Sequence, residues 1–311
     1  MEKIQLKNSD LMVSRLCFGG CPMGGYGWGN VSKKELIEAV HAALDLGINF
    51  FDTADTYGLG ESECTLGEAI KSRRSNTIIA TKFGVRVENG NTFYDNSENW
   101  IEKALDNSLK RLNTDYIDLY QIHYRDKKTP INIVIETLEK LKTKGKIRYY
   151  GISNVCIEDL KELENYKGKF VSMQNEYSLA CRKNEKDILK ISRELDITPL
   201  TWGSLGQGIL TGKYDKNVKF DSNDRRSRET YVNFYGDKLE KNLRIVDTLK
   251  KIAEEMDKPV ASVAIRFILD YIPSAVVIAG VKRKSQLEAN LKALNWNLNQ
   301  KFLNVLDEMS E

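Results

Sequence analysis

Short apolar segments rich in β-branched and aromatic residues recur eight times along the chain, and most are separated by stretches with helical periodicity. Segments of this length and composition are typical of buried strands. The predicted strands are Leu16–Phe18, Asn49–Phe51, Thr77–Ala80, Ile117–Ile122, Ile147–Gly151, Phe170–Met173, Thr198–Thr201 and Ala275–Ile278.

The stretches between these strands place apolar residues three and four positions apart, as on one face of a helix. One helix is predicted to begin after Ser32 and end at Gly47. Ser32 and Glu35 have the spacing of a capping box, in which each side chain bonds the backbone of the other residue. Further helices are predicted after Ser97 and at Ile133–Leu141, Ile188–Leu195, Leu239–Met256, Val260–Tyr271, Leu287–Leu294 and Phe302–Leu306.

Alternation of strands and helices predicts a parallel sheet, since parallel strands need long crossovers. Eight repeats predict closure into a (β/α)8 TIM barrel, with residues 1–311 as a single domain and a helix at the C-terminus. Ile4–Leu6 and Met12–Ser14 are predicted to form a hairpin that covers the bottom of the barrel. An open dinucleotide-binding sheet is disfavoured, because Gly-x-Gly-x-x-Gly follows no early strand.

Composition narrows the classes of partner and site. Lys and Arg number 47 against 44 Asp and Glu, a net charge of +3 that favours neither nucleic acid nor an anionic membrane. No apolar run approaches a bilayer span, and the N-terminus does not resemble a secretory signal. Five cysteines without a C-x-x-C pair predict a reducing compartment, the cytoplasm. With only two histidines, no metal site is predicted.

Polar or ligand-suited residues follow the predicted strands at their C-terminal ends, which meet at one mouth of a barrel. In chain order they are Asp52, Lys82, His123, Ser153, Asn154, Gln174, Trp202 and Gly280. This convergence predicts the active site at that mouth.

Tyr57 lies just beyond Asp52 and is the candidate proton donor. A phenol with a pKa near ~10 is a weak acid at neutral pH unless a cation favours its anion. Lys82 is that candidate cation, Asp52 would hold it in place, and His123 would donate a hydrogen bond to the substrate oxygen. Asp52 and Lys82 taken alone are equally consistent with a structural ion pair, and His123 taken alone with a core histidine, but their joint spacing with Tyr57 favours catalysis.

Six segments, taken in order, resemble the aldo-keto reductase family over almost the whole chain. They are residues 51–58 (FDTADTYG), 80–82 (ATK), 122–123 (IH), 151–154 (GISN), 174–177 (QNEY) and 206–213 (GQGILTGK). The resemblance implies that hydride passes from a nicotinamide to a carbonyl carbon while Tyr57 protonates the oxygen. It assigns Asp52, Tyr57, Lys82 and His123 as the catalytic tetrad.

The resemblance also implies a cofactor site. Ser153, Asn154 and Gln174 would bind the nicotinamide carboxamide, and Trp202 stands where a tyrosine more often stacks on the ring. The adjacent cations Lys282, Arg283 and Lys284 favour NADPH over NADH, since charge-assisted bonds suit a 2'-phosphate. Ala289 departs from the glutamate more usual near the adenine. The remaining predicted cofactor residues are Gly203, Ser204, Leu205, Gly206, Lys213, Gly280, Gln286 and Asn290.

The substrate is expected to be a small aldehyde, ketone or sugar-like carbonyl compound. Its pocket is predicted from loop positions to include Met23, Tyr26, Trp28, Phe83 and Tyr124, beside Tyr57 and His123. The irregular stretch 203–236 has the length of a functional lid, and it contains Arg225, Arg226 and Arg228, which are either solubilising charges or act over the cofactor or substrate. Two other functions stay open: an NADPH-sensing regulatory subunit with vestigial catalysis, and an isomerase or lyase with Lys82 as a Schiff-base amine.

Overall fold

The computed structural model describes residues 1–310 and contains a closed barrel of eight parallel strands that follow one another around it in chain order. The predicted barrel is therefore confirmed. Two antiparallel hairpins accompany it, β1 with β2 and β6 with β7. The strands are β1 Lys3–Gln5, β2 Met12–Ser14, β3 Leu16–Gly19, β4 Phe50–Asp52, β5 Ile78–Phe83, β6 Val85–Glu88, β7 Asn91–Tyr94, β8 Ile117–Ile122, β9 Ile147–Ser153, β10 Ser172–Glu176, β11 Thr198–Trp202 and β12 Val276–Gly280.

Ten helices occupy the described part of the chain and cover the barrel, and they include every predicted one. α2 and α5 were not predicted, because each has few large apolar residues in helical register. The helices are α1 Lys33–Asp45, α2 Glu61–Ile70, α3 Glu98–Leu112, α4 Ile131–Thr143, α5 Ile157–Leu163, α6 Glu185–Leu195, α7 Gly236–Glu255, α8 Val260–Tyr271, α9 Lys284–Leu291 and α10 Gln300–Ser310. Within residues 1–310 no helix has both the length and the apolar composition needed to cross a membrane.

The capping box predicted at the start of α1 is half correct. Ser32 accepts a hydrogen bond from the Glu35 backbone, as expected. The Glu35 carboxylate does not return it and pairs instead with Arg283, 3.1 Å away, because the loop before α9 packs against the start of α1.

The N-terminal hairpin covers the bottom of the barrel as predicted. Leu6, Leu11 and Val13 are buried in one apolar cluster with Phe50 and Leu119 from the barrel interior. The second hairpin, β6–β7, was not predicted. All four residues of β7 are exposed, so the alternation that marks a half-buried strand is missing there.

Candidate active site

The floor of the site is a layer of polar side chains inside the barrel, and the two-residue period of a strand explains its position. Phe50, Ala80 and Leu119 lie in the apolar cluster that fills the lower barrel. Two residues further along, on the same face of each strand, stand Asp52, Lys82 and Gln121. The interior is therefore apolar below and polar at the C-terminal end. This also explains why β5 and β10 run past their predicted ends, to Phe83 and Glu176: their polar residues still belong to the sheet.

Lys82 is the centre of the polar layer. Its Nζ donates to Asp52 Oδ1 at 2.7 Å, to the Thr53 carbonyl at 2.9 Å and to Tyr57 Oη at 3.3 Å. The Lys82 side chain is 0% exposed and that of Asp52 is 3% exposed. All three N–H bonds of the ammonium are thus used, two of them to hold it and the third to reach the phenol.

Two glutamines orient the Asp52 carboxylate. Gln174 Nε2 donates to Asp52 Oδ2 at 2.8 Å, and Gln121 Nε2 donates to the same oxygen at 3.4 Å. Gln174 was predicted to contact the cofactor. Its hydrogen bond to Asp52 connects the predicted cofactor site to the Asp52–Lys82 ion pair. Gln121 was not predicted, although its place two residues before His123 on an apolar strand was a usable signal.

Tyr57 reaches the floor because two loops approach closely. It opens a short 3-10 turn, Tyr57–Gly60, in which Gly58 has φ +62°. A Cβ at Gly58 would lie 2.1 Å from the Gly24 carbonyl oxygen, so only glycine fits between the loops. The tyrosine ring then stands edge-on to His123, with centroids 5.9 Å apart, and 5.0 Å from Lys82 Nζ.

The site holds both rings in their neutral forms. Burial raises the pKa of Tyr57 well above its usual range, and the Asp52 carboxylate acts in the same direction. Sequence reasoning expected the Lys82 charge to lower this pKa, and the direction found is the opposite, because desolvation of the phenol dominates. Burial, with the Lys82 charge beside it, holds the pKa of His123 well below its usual range. Tyr57 therefore carries a proton to give, and His123 is an uncharged donor.

A cavity of about 1070 Å³ opens above this floor and contains most of the predicted cofactor residues. Ser153 and Asn154 are fixed by hydrogen bonds to the Gln174 and His123 carbonyls. Gly206 lies behind the wall, where a Cβ would come 2.8 Å from Ala180 Cβ. The predicted residues on the cavity wall are Ser153, Asn154, Gln174, Trp202, Gly203, Ser204, Leu205, Lys213, Gly280, Lys282, Gln286 and Asn290.

The far end of the cavity is positively charged. Burial and the nearby charges of Arg226, Lys213 and Arg283 lower the pKa of Lys282 to about 8, although Asp224 opposes them. Arg283, also predicted to bind the cofactor, is not on the cavity wall: its side chain is 60% exposed and pairs with Glu35. Because these cations repel one another, an anion bound between them would be favoured.

Three predicted substrate residues lie away from the cavity wall. Phe83 is fully buried against Tyr120, with ring centroids 4.7 Å apart, since it follows Lys82 and so points to the helical layer. Met23 is turned inward by its 3-10 turn and is 1% exposed in the core. Tyr26 lies on the surface, 64% exposed. Trp28 and Tyr124 do line the cavity. So do Cys21, which was not predicted there, and Arg225, for which a role over the cofactor or substrate was one of two alternatives.

Known proteins resemble this chain in sequence and in fold. The sequence model of the Aldo/keto reductase family matches residues 15–311. The chain is 36% identical to Aldo-keto reductase YhdN of Bacillus subtilis, over 99% of this chain and 94% of that protein. It is 28% identical to the NADH-specific methylglyoxal reductase of Escherichia coli, over 100% of this chain and 99% of that protein.

A solved structure shares the architecture. The glycerol dehydrogenase AKR11B4 of Gluconobacter oxydans superposes with a TM-score of 0.88 at 32% identity, covering 99% of this chain and 94% of that one. The names of these similar proteins include a carbonyl reductase and an alcohol dehydrogenase. The likeness therefore does not determine the substrate, and one NADH-specific relative leaves the choice of nicotinamide cofactor open.

Proposed function

Since this chain belongs to the aldo/keto reductase family of carbonyl oxidoreductases, we propose that it reduces an aldehyde or ketone to the alcohol with NADPH, and that Tyr57 is the general acid. The observation that carries the proposal is the buried Lys82 ammonium, 2.7 Å from Asp52 and 3.3 Å from the Tyr57 oxygen. The Lys82 charge would stabilise the phenolate that Tyr57 becomes when it gives up its proton.

The tetrad residues divide the work. Tyr57 holds the proton that the carbonyl oxygen needs as its charge develops, and Lys82 stabilises the phenolate left behind. Asp52 keeps Lys82 in place, while neutral His123 donates a second hydrogen bond to the substrate oxygen. Bound NADPH supplies the hydride, and reversal of these roles gives alcohol oxidation.

The cavity residues fit that cofactor. Ser153, Asn154 and Gln174 present polar groups beside the tetrad, Trp202 offers an aromatic face, and Lys213 and Lys282 supply charge for phosphates. With all its N–H bonds committed, Lys82 is poorly placed to act as a free Schiff-base amine. The five cysteines are free thiols, and we propose the cytoplasm as the site of action.

NADPH consumption with a panel of simple aldehydes tests the function. Turnover supports an enzyme, whereas tight NADPH binding without turnover of any carbonyl would indicate the regulatory subunit. Borohydride trapping of a substrate on Lys82 would point to the lyase chemistry.

Lys282→Met is expected to raise the KM for NADPH about tenfold or more, since a charge-assisted bond contributes about 1.5 to 3 kcal/mol. The KM for NADH should stay within about twofold, because NADH lacks the 2'-phosphate. Lys284→Met is the matched control: although Lys284 was predicted with Lys282, its side chain is 62% exposed, pairs with Glu288 at 3.8 Å and is not on the cavity wall. Equal losses with both cofactors would refute a 2'-phosphate contact.

The affinity for NADPH should also depend on pH. Because the pKa of Lys282 is lowered to about 8, the charged form predominates below that value and is lost above it. A phosphate binds the charged form, so affinity is expected to fall about fivefold between about pH 8 and pH 9, whereas NADH affinity stays nearly flat. Fluorescence titration across this range measures it. Lys282→Met should abolish the difference, and a persisting pH dependence in that variant would exclude Lys282 as its origin.

A further inference from the structure

Arg225 is a cation that the proposed catalytic cycle does not use. It lines the same cavity as Tyr57. Within residues 1–310 its guanidinium forms no ion pair with a carboxylate, and its Nε is buried without an acceptor. A buried donor left unsatisfied costs about 1 to 3 kcal/mol, so the position calls for an explanation.

The Arg225 side chain is nevertheless held firmly. Nη2 donates to the Tyr26 carbonyl at 2.8 Å, and the guanidinium lies 5.2 Å from the Trp28 ring and 5.6 Å from the Tyr26 ring. Gly27, at φ +73°, makes room for it, since a Cβ there would lie 2.6 Å from Nε. The loop is therefore shaped around this arginine, which is not a mobile surface charge.

Neighbouring cations have partners or a role with the cofactor. Arg226 binds Asp224 through Nε at 2.9 Å and Nη2 at 2.6 Å. Lys213 and Lys282 line the cavity and are assigned to the cofactor phosphates, and Lys282 Nζ also donates to the Trp28 carbonyl. Arg225 is left with a charge that nothing in the described chain neutralises.

The Trp28 indole Nε1 lies beside it, buried and with no well-formed hydrogen bond, and interacts with the Cys21 thiol, which is a weak acceptor. Cys21 connects this pair to the reaction centre. The Trp28 indole and the Arg225 charge both favour the Cys21 thiolate, against the larger effect of burial, which raises the pKa of the thiol. Cys21 is in turn among the groups that raise the pKa of Tyr57. Arg225 and Trp28 therefore lie on the side of the cavity where Cys21 adjoins Tyr57.

We propose that Arg225 and the Trp28 indole bind a carboxylate of the substrate, so that the preferred substrates are aldehydes or ketones carrying an acidic group. A carboxylate can accept from Arg225 and Trp28 together, which gives both donors a strong oxygen acceptor and neutralises the charge. The inference rests on the proposed reductase function, which it narrows to a substrate class.

Two aldehydes that differ mainly in charge provide the test: 4-carboxybenzaldehyde and its neutral methyl ester. Arg225→Gln should raise the KM for the acid about tenfold or more and leave the KM for the ester within about twofold. The KM for NADPH should not change. Arg193→Gln makes the same change at a side chain that is 75% exposed and pairs with its neighbour Glu194, and it should alter none of these values.

A binding measurement makes the test independent of turnover. Calorimetry with the NADP+-loaded protein should show that the acid binds at least about tenfold more tightly than the ester, and that Arg225→Gln removes the preference. Equal binding of acid and ester by the unaltered protein would overturn the proposal. So would an Arg225→Gln variant whose main loss is in NADPH affinity, since Arg225 would then serve the cofactor. Failure to oxidise NADPH with either aldehyde, while the acid still binds preferentially, would instead count against the reductase function.

Discussion

Tyr57→Phe is expected to lower kcat by about 10² to 10⁴-fold, the range for loss of a positioned general acid. The substitution removes only the hydroxyl that accepts from Lys82, and the ring keeps its place beside His123 and Lys82. The KM for NADPH and the free energy of unfolding should therefore change little. Steady-state NADPH oxidation gives kcat, and quenching of tryptophan fluorescence gives cofactor binding.

Tyr166→Phe is the control for this substitution, since Tyr166 lies after α5, away from the cavity, and its change in chemistry is identical. It should retain the kcat of the unaltered protein. A Tyr57→Phe variant that keeps more than about a tenth of that kcat would show that another group donates the proton, with His123 as the nearest candidate.

The fold could be read from sequence because a barrel repeats one strong signal. Each barrel strand is a short apolar run, and the polar residues that end the runs converge only if the strands are parallel and closed. Asp52, Lys82 and His123 were found by this rule. The β6–β7 hairpin has no such pattern, since its outer strand is exposed on both faces, and it could not be foreseen.

The wrong predictions concern where a side chain points and how deeply it is buried, more than its place along the chain. Phe83 follows Lys82 directly, and a single step along a strand moves a side chain from the barrel interior to the helical layer. The raised pKa of Tyr57 depends on burial, which residue spacing does not report. Arg225, Arg226 and Arg228 look alike in sequence, yet only tertiary contacts pair Arg226 with Asp224 and leave Arg225 unpaired.

Asp52→Asn is expected to reduce the free energy of unfolding by about 3 to 5 kcal/mol and to abolish most activity. The Lys82 ammonium would stay fully buried without its counter-charge, and it would lose the group that orients it towards Tyr57. Urea denaturation measures the stability. Asp106→Asn is the control, since its 2.6 Å pair with Lys146 is half-exposed and should contribute no more than about 1 kcal/mol.

Combining Asp52→Asn with Lys82→Met separates the two effects of the ion pair. Removing both charges takes away the uncompensated ammonium, so the double variant should be more stable than Asp52→Asn alone. It should remain inactive, because nothing would then stabilise the Tyr57 phenolate. A single variant no less stable than Asp106→Asn would mean that Gln121 and Gln174 can hold Lys82 without the carboxylate. A double variant that recovered activity along with stability would remove Lys82 from the reaction and leave the pair as a structural feature of the barrel.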